Sequence, residues 1–253
     1  MPTQTTASRP AALLHLDSSA GEREDSVSRR LTALFAESWC AAHGTDGHVH
    51  RDLVSEPVPP IGPAYPVLGR RVERQGLVPP GKVAALVENA AEEREWSLTR
   101  PLITELLAAD TVLLGVPMYN FSVPAALKAW IDRVTFPGAF RDPDNGESLL
   151  RDTRVVVVMA RGGGYGPGTP REGYDFQTPY LRAWFGALGV TPSHLHLVAA
   201  ELTRSADVPE LAGLTGLADA SLAAARAAVT ALAHRSTGAG AGTGPVGHRP
   251  DTL

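Results

Sequence analysis

The chain has 253 residues, 43% of them apolar and 20% charged, a length that allows one or two domains with a core large enough to need no covalent staples. Its net charge of −4 offers no basic excess for nucleic acid or an anionic membrane. The single cysteine, Cys40, excludes an intrachain disulfide and fits a reducing compartment.

Residues 1–10 are polar, contain two prolines and lack the basic-then-apolar layout of a signal peptide. They read as a disordered arm of a cytoplasmic protein. Residues 11–17 (AALLHLD) read as a strand, and 26–42 as a helix with Val27, Leu31, Leu34 and Phe35 on one face. Residues 48–54 alternate apolar and polar, as an edge strand does. Residues 55–81 hold seven prolines and read as a long loop. A helix is expected over 82–109, where Leu98, Leu102, Ile103, Leu106 and Leu107 form a stripe. Residues 111–116 (TVLLGV) read as a buried strand. Ser122 and Pro124 suit the N-cap and first turn of a helix carrying Leu127, Trp130, Ile131 and Val134. Residues 153–160 are a further buried strand. Thr178 and Pro179 open a helix that Gly189 stops. Residues 194–199 make a fifth strand and the Ala-rich 209–235 a closing helix. The Gly/Ala-rich residues 236–253 read as a disordered tail. Their G-x-G-x-x-G match at 242–247 has no strand before it or helix after it, so it is not a dinucleotide site. The longest strongly apolar run, 155–160, is far below the ~20 residues of a membrane helix, and no span is expected.

Five strands alternating with helices predict an α/β domain over 11–235, with a parallel sheet covered on both faces. Right-handed crossovers make it doubly wound. Such sheets bind ligands beyond the carboxyl ends of their strands, where the strand order reverses. The segments after residues 17, 116 and 160 are therefore the places to look.

The first segment, SSAGEREDSVS from Ser18, clusters hydroxyls where a strand hands over to a helix. Helix N–H groups there suit a phosphate; the other reading is that Ser26 only caps the helix. The second, GVPMYNFSVP from Gly115, carries amides and Asn120 suited to the edge of a planar ring. In isolation Tyr119 and Phe121 read as core or interface residues. The third, ARGGGYGPGT from Ala160, has three consecutive glycines that let backbone approach a flat ligand, or that form a flexible surface loop. Taken together the three loops suit flavin mononucleotide (FMN) on a flavodoxin-like five-stranded sheet of order 2-1-3-4-5.

Pro117-Met118-Tyr119-Asn120-Phe121-Ser122-Val123-Pro124, running on through Leu127-Lys128-Ala129-Trp130-Ile131-Asp132-Arg133-Val134, resembles the signature of FMN-dependent NADH:quinone oxidoreductases, also called FMN-dependent azoreductases. Ser18-Ser19, Ser26-Val27-Ser28, Arg161-Gly162-Gly163 and Thr178-Pro179-Tyr180-Leu181 match in order and spacing. The resemblance extends from about residue 11 to 233. It implies a homodimer with FMN in clefts at the interface. Ser19, Ser26, Val27 and Ser28 are then expected at the phosphate. Pro117, Met118, Tyr119, Asn120 and Phe121 are expected along the isoalloxazine, and Ala160, Arg161, Gly162 and Gly163 at its other edge. It further implies ping-pong hydride transfer from NADH or NADPH, through the flavin, to a quinone or azo acceptor. The cofactor then carries the chemistry, and no side-chain nucleophile is nominated.

The sequence departs from that pattern in the acceptor pocket, where Asp142, Tyr165 and Ala187 are expected. Phe140-Arg141-Asp142 stands where the family commonly has Phe-Arg-Tyr. Ala187 stands where a bulky aromatic often follows the glycine that aligns with Gly186. Two missing aromatic walls widen the pocket and favour an alternative function, reduction or tailoring of a bulky, natural-product-like aromatic substrate. No metal ligands are nominated: the eight histidines show no metal-binding spacing on a common helix, and His48/His50 and His194/His196 read as solvent-facing strand residues.

Overall fold

The computed structural model describes residues 11–166, 168, 169 and 171–235. The expectations for residues 1–10 and 236–253 lie outside them. Five strands, β1 (Leu13–Asp17), β2 (His48–Asp52), β3 (Thr111–Pro117), β4 (Arg154–Ala160) and β5 (Leu195–Ala200), form one parallel sheet of order β2-β1-β3-β4-β5. The chain leaves β1 for β2 on one side and returns to β3 on the other, so the order reverses at β1. In register, Leu13 faces both His48 and Thr111, and Pro117 faces Ala160. Asp17, Pro117 and Ala160 therefore end on one rim.

Side-chain alternation divides the core. Leu14, Leu16, Val112, Leu114, Val116, Val155, Val157 and Met159 point to one face. That face is covered by α2 (Ala64–Arg74), α4 (Ala90–Ala108), α5 (Ala125–Val134) and α6 (Gln177–Ala187). Leu13, Leu113, Val156, Val158 and Val198 point to the other, under α1 (Val27–His43) and α7 (Thr215–Arg235).

Four local expectations are corrected. Residues 55–81 are not a continuous loop. They contain α2, whose Tyr65, Leu68 and Val72 are buried, and the start of the short turn α3 (Pro80–Val83). The helix expected over 82–109 is interrupted because the Asn89 side chain accepts the N–H groups of Ala91 and Glu92 and caps α4 anew. Ser122 caps nothing: its backbone pairs with Tyr119, and Pro124 precedes α5 without a side-chain cap. Residues Pro209–His234 are long and apolar enough by composition to cross a bilayer. A search for contiguous apolar runs overlooks them because their apolarity comes from scattered alanine. Ala225, Val229 and Ala233 of this stretch pack on the sheet.

Buried ion pairs fix the proline-rich segment. Arg71 of α2 donates to both carboxylate oxygens of Glu92, to Glu88 and to the Leu86 carbonyl. The Arg71 hydrogen bonds, chiefly, and the Glu88 N–H lower the Glu92 carboxyl from 4.5 to about 2. A depressed carboxylate stabilises the fold fully above its unfolded value and loses that contribution as pH falls through the folded one. Glu92→Gln is therefore expected to melt below wild type at pH 7, with the gap narrowing steadily from about pH 4.5 downward. Thermal melts across that range check it; a gap independent of pH contradicts it.

Candidate functional site

Three strand-end loops meet on the rim where the order reverses. In the first, Ser18 and Ser19 leave β1 buried. The Ser18 hydroxyl donates to the Gly115 carbonyl, and the Ser19 hydroxyl accepts the Gly21 N–H. Ser26 caps α1, its Oγ accepting the Arg29 N–H. The Ser26 and Ser28 hydroxyls lie 3.2 Å apart, both buried. Val27 and Ser28 are the first residues of this 17-residue helix, where N–H groups have no intrahelical acceptor. Arg29 then spans the loop. Its guanidinium donates to the Ser19 carbonyl at 2.6 Å and to both Asp52 oxygens. Hydrogen bonds and charge from Arg29 hold Asp52 below the ordinary carboxylate range against the opposing effect of burial. The turn is thus fixed to the end of β2, with two hydroxyls and the first-turn amides together.

In the second loop, Asn120 and Phe121 take consecutive left-handed conformations (φ 48° and 71°). Tyr119 and Ser122 pair across them by reciprocal backbone hydrogen bonds. Positive φ suits Asn but strains Phe, at a cost of order 1–3 kcal/mol. The surroundings hold it: the Phe121 carbonyl accepts the Phe176 N–H, and its ring meets Tyr165 edge-on at 6.4 Å. The Met118 N–H donates to Ala160, extending the sheet past Pro117, and the Tyr119 hydroxyl accepts the Ala20 N–H from the first loop.

In the third loop, Ala160, Gly163 and Tyr165 are buried. A Cβ on Gly162 would lie 3.0 Å from the Arg204 side chain. Met118, Tyr119, Asn120, Phe121, Gly162 and Tyr165 line one cleft of about 370 Å³, completed by Arg171 and Arg204. Sequence reasoning missed these two arginines, because Arg204 comes from the loop after β5 and Arg171 lies beyond the glycines. The Arg171 guanidinium donates to the Tyr165 hydroxyl and lies 5.8 Å from its ring centroid. Arg161 is placed differently from the expectation. Its guanidinium is buried and turned inward, bonding Gln177, Thr178 and Glu201 and lying 3.0 Å from Asp175. It positions the loop against α6 and the chain after β5, while Gly162 and Gly163, lacking side chains, let the Arg204 and Arg171 side chains lie close over them.

Two predicted pocket residues lie elsewhere in this chain. Asp142 bonds within its own hairpin, its N–H to Glu147 and its carboxylate to the Asp144 N–H. That hairpin docks through Ser148 on the Leu188 carbonyl, at the far end of α6. Ala187 is exposed at the same end. The other end of α6 carries Gln177, whose amide donates to Val116 beside the rim, and eleven residues of helix span roughly 16 Å. Of the three, only Tyr165 lines the cleft of its own chain.

Residues 11–213 match the family described as Flavodoxin-like fold. A protein of Nocardia farcinica named FMN-dependent NADH:quinone oxidoreductase is 44% identical over 212 residues, 83% of this chain and 92% of that one. One of the same name from Streptomyces avermitilis is 38% identical over 216 residues, 85% and 92% of the two chains. Among solved structures, an azoreductase from Bacillus anthracis superposes with a TM-score of 0.71 at 22% identity, over 89% of this chain and 99% of that one. An FMN-dependent NADH-azoreductase of the same species, in complex with FMN, superposes with a TM-score of 0.68 at 21% identity, over 90% and 99%.

Proposed function

The chain belongs to the FMN-dependent NADH:quinone oxidoreductases of flavodoxin-like fold, and on that premise we propose that it uses NADH to reduce quinone or azo-type aromatic acceptors at the rim cleft. The observation that carries the reading is the strained Tyr119–Ser122 turn facing the β4 glycines across that cleft. Strain held by its surroundings is common where backbone must meet a ligand.

The residues present fit FMN. The hydroxyls of Ser19, Ser26 and Ser28 and the amides opening α1 suit the phosphate, and the positive end of the helix favours its charge. Met118, Tyr119, Asn120 and Phe121 offer backbone and an amide to a planar ring. Gly162 and Gly163 admit its other edge, and Tyr165 with Phe121 walls the acceptor side. When bound, FMN supplies the two-electron hydride chemistry that no side chain here can perform. The protein binds, orients and limits access.

A homodimer is part of the proposal. Tyr119, Phe121, Tyr174 and Phe176 are 38–56% exposed around the cleft, a large aromatic area for a lone surface. Asp142 and Ala187, remote from their own cleft, are placed by a second copy over the partner's cleft. The open character of these two positions favours a bulky aromatic acceptor as a second reading. The cytoplasm, which holds NADH and keeps thiols reduced, is the proposed location.

Steady-state NADH oxidation with menadione and with an azo dye tests the function. Brisk turnover of both is expected. NADH-driven flavin reduction without transfer to either supports the bulky-substrate reading, and no NADH oxidation with any acceptor overturns the proposal. Removing the Asn120 side chain without adding strain requires glycine, since alanine is poorly suited to φ 48°. Asn120→Gly is expected to retain the fold and to shift the flavin reduction potential or lower FMN retention about tenfold, one hydrogen bond's worth. Unchanged potential and retention contradict its role.

A further inference from the structure

Away from the flavin cleft, β1 and β2 bring three imidazoles and a carboxylate together beneath α1. His15 and Asp17 alternate on one face of β1, and His48 and His50 on the same face of β2, with His15 directly opposite His50. The His15 ring lies 4.4 Å from that of His50 and stacks on that of His48 at 5.6 Å, centroid to centroid. A reading of His48 and His50 as isolated strand residues overlooks this, because the other donors come from a neighbouring strand 33 positions away.

Asp17 is buried, and its Oδ2 lies 3.1 Å from His50 Nε2 and 3.3 Å from His15 Nε2. One donor atom from each of His15, Asp17 and His50 falls within 4.8 Å of the others. Two ligands on one tetrahedral ion, each at 2.0–2.1 Å, stand about 3.3 Å apart. His15 is 4% exposed, and its Nε2 makes no hydrogen bond despite its nearness to Asp17. A buried nitrogen beside a carboxylate but off the hydrogen-bonding line fits a ligand better than a donor.

The surroundings orient this set. Thr32 donates to Asp17 Oδ1 at 2.9 Å. His15 Nδ1 lies 3.4 Å from His48 Nε2, and His48 Nδ1 lies 3.6 Å from Cys40 Sγ. With protons on both Nδ1 atoms, each histidine donates to the next partner, and His15 Nε2 keeps its lone pair for an ion. This is the second-shell arrangement that metal-binding histidines use. Arg29 Nη1 lies 3.9 Å from Asp17 Oδ2, while the guanidinium is held by two hydrogen bonds to Asp52. A cavity of about 340 Å³, whose lining also includes Arg23, Arg29, Glu37 and Cys40, adjoins the three donors. Gly115 has no side chain to fill the space beside Asp17; a Cβ there would strike Asp17 Oδ1.

We propose that His15, Asp17 and His50 bind one divalent transition-metal ion of the zinc class. Two imidazole nitrogens and one carboxylate oxygen suit Zn²⁺ in preference to Mg²⁺ or Ca²⁺. The ion joins edge strand β2 to β1 at the residue that leads into Ser18 and Ser19.

The test is calorimetric titration of the chelator-treated, FMN-loaded full chain with Zn²⁺, beside His50→Ala. His50 is chosen because its side chain is 44% exposed, so its loss leaves the core intact; unchanged circular dichroism and FMN content verify this. Wild type is expected to take up one equivalent that His50→Ala binds at least tenfold more weakly, as losing a ligand costs no less than losing an outer-shell partner. Failure of wild type to take up one equivalent, or equal affinity in the variant, overturns the proposal.

Discussion

Val27→Asp is expected to abolish practical FMN retention while leaving the apoprotein folded. Val27 opens α1, beside Ser26 and Ser28 and half-exposed. A carboxylate there adds a negative charge to the helical turn whose amides are assigned to the FMN phosphate. Two unit charges about 4 Å apart repel by about 4 kcal/mol at an effective dielectric of 20, so affinity should fall roughly 100- to 1,000-fold. The fold responds differently. An acidic residue in the first helical turn gains about 0.3–1 kcal/mol, offsetting part of the packing lost where Val27 touches the α1–α7 core. The apoprotein melting temperature should stay within about 4 °C of wild type, a shift of roughly 1 kcal/mol at this size. Fluorescence titration with FMN and melts without it separate the two effects. Unchanged FMN affinity would place the phosphate elsewhere.

Arg133→Met is expected to act in the opposite sense, on stability first. Arg133 is 1% exposed within α5. Its guanidinium donates to the Pro59 and Pro60 carbonyls, to the Glu95 carboxylate and to Thr99, and sits 5.9 Å from the Tyr65 ring centroid. Proline carbonyls in a packed segment have few other donors, and this one side chain ties residues 59–60 to α4 and α5. Removing one partner of a buried ion pair typically costs 3–5 kcal/mol, here a drop of roughly 6–20 °C in melting temperature. Because the rim loops are untouched, FMN affinity of the folded fraction at low temperature should change less than threefold. A melting temperature within 2 °C of wild type would show that Arg133 does not organise the segment.

The sheet was legible because β3 and β4 are short apolar runs and β2 alternates, with turn chemistry and helical patterns elsewhere between the strands. Helix α2 was not. Its prolines suggested a loop, yet Pro63 precedes the helix and Pro66 falls in its first turn, where a missing N–H breaks no helical bond. Its real signal was Tyr65, Leu68 and Val72 at helical spacing. The cleft was legible as far as loops after β3 and β4 carry glycine or aromatic clusters. Arg171 and Arg204 carry no local signature, and Arg204 enters only when the chain after β5 folds back, with the Leu202 N–H on Gly163 and the Thr203 N–H on Arg161. The family resemblance placed Arg161 at the cleft, but the facing acids Asp175 and Glu201, distant in sequence, turn its charge inward. Asp142 and Ala187 show the remaining gap: position along a chain does not say how far the folded hairpin and the far end of α6 lie from the cleft.

The most direct test of the whole account is titration of the purified full chain with FMN, followed by its visible absorption and fluorescence, with NADH then added anaerobically. Binding of one FMN per chain, bleached by NADH and restored by a quinone, is predicted. A chain that binds no FMN, or binds it without reduction by NADH, would contradict the account.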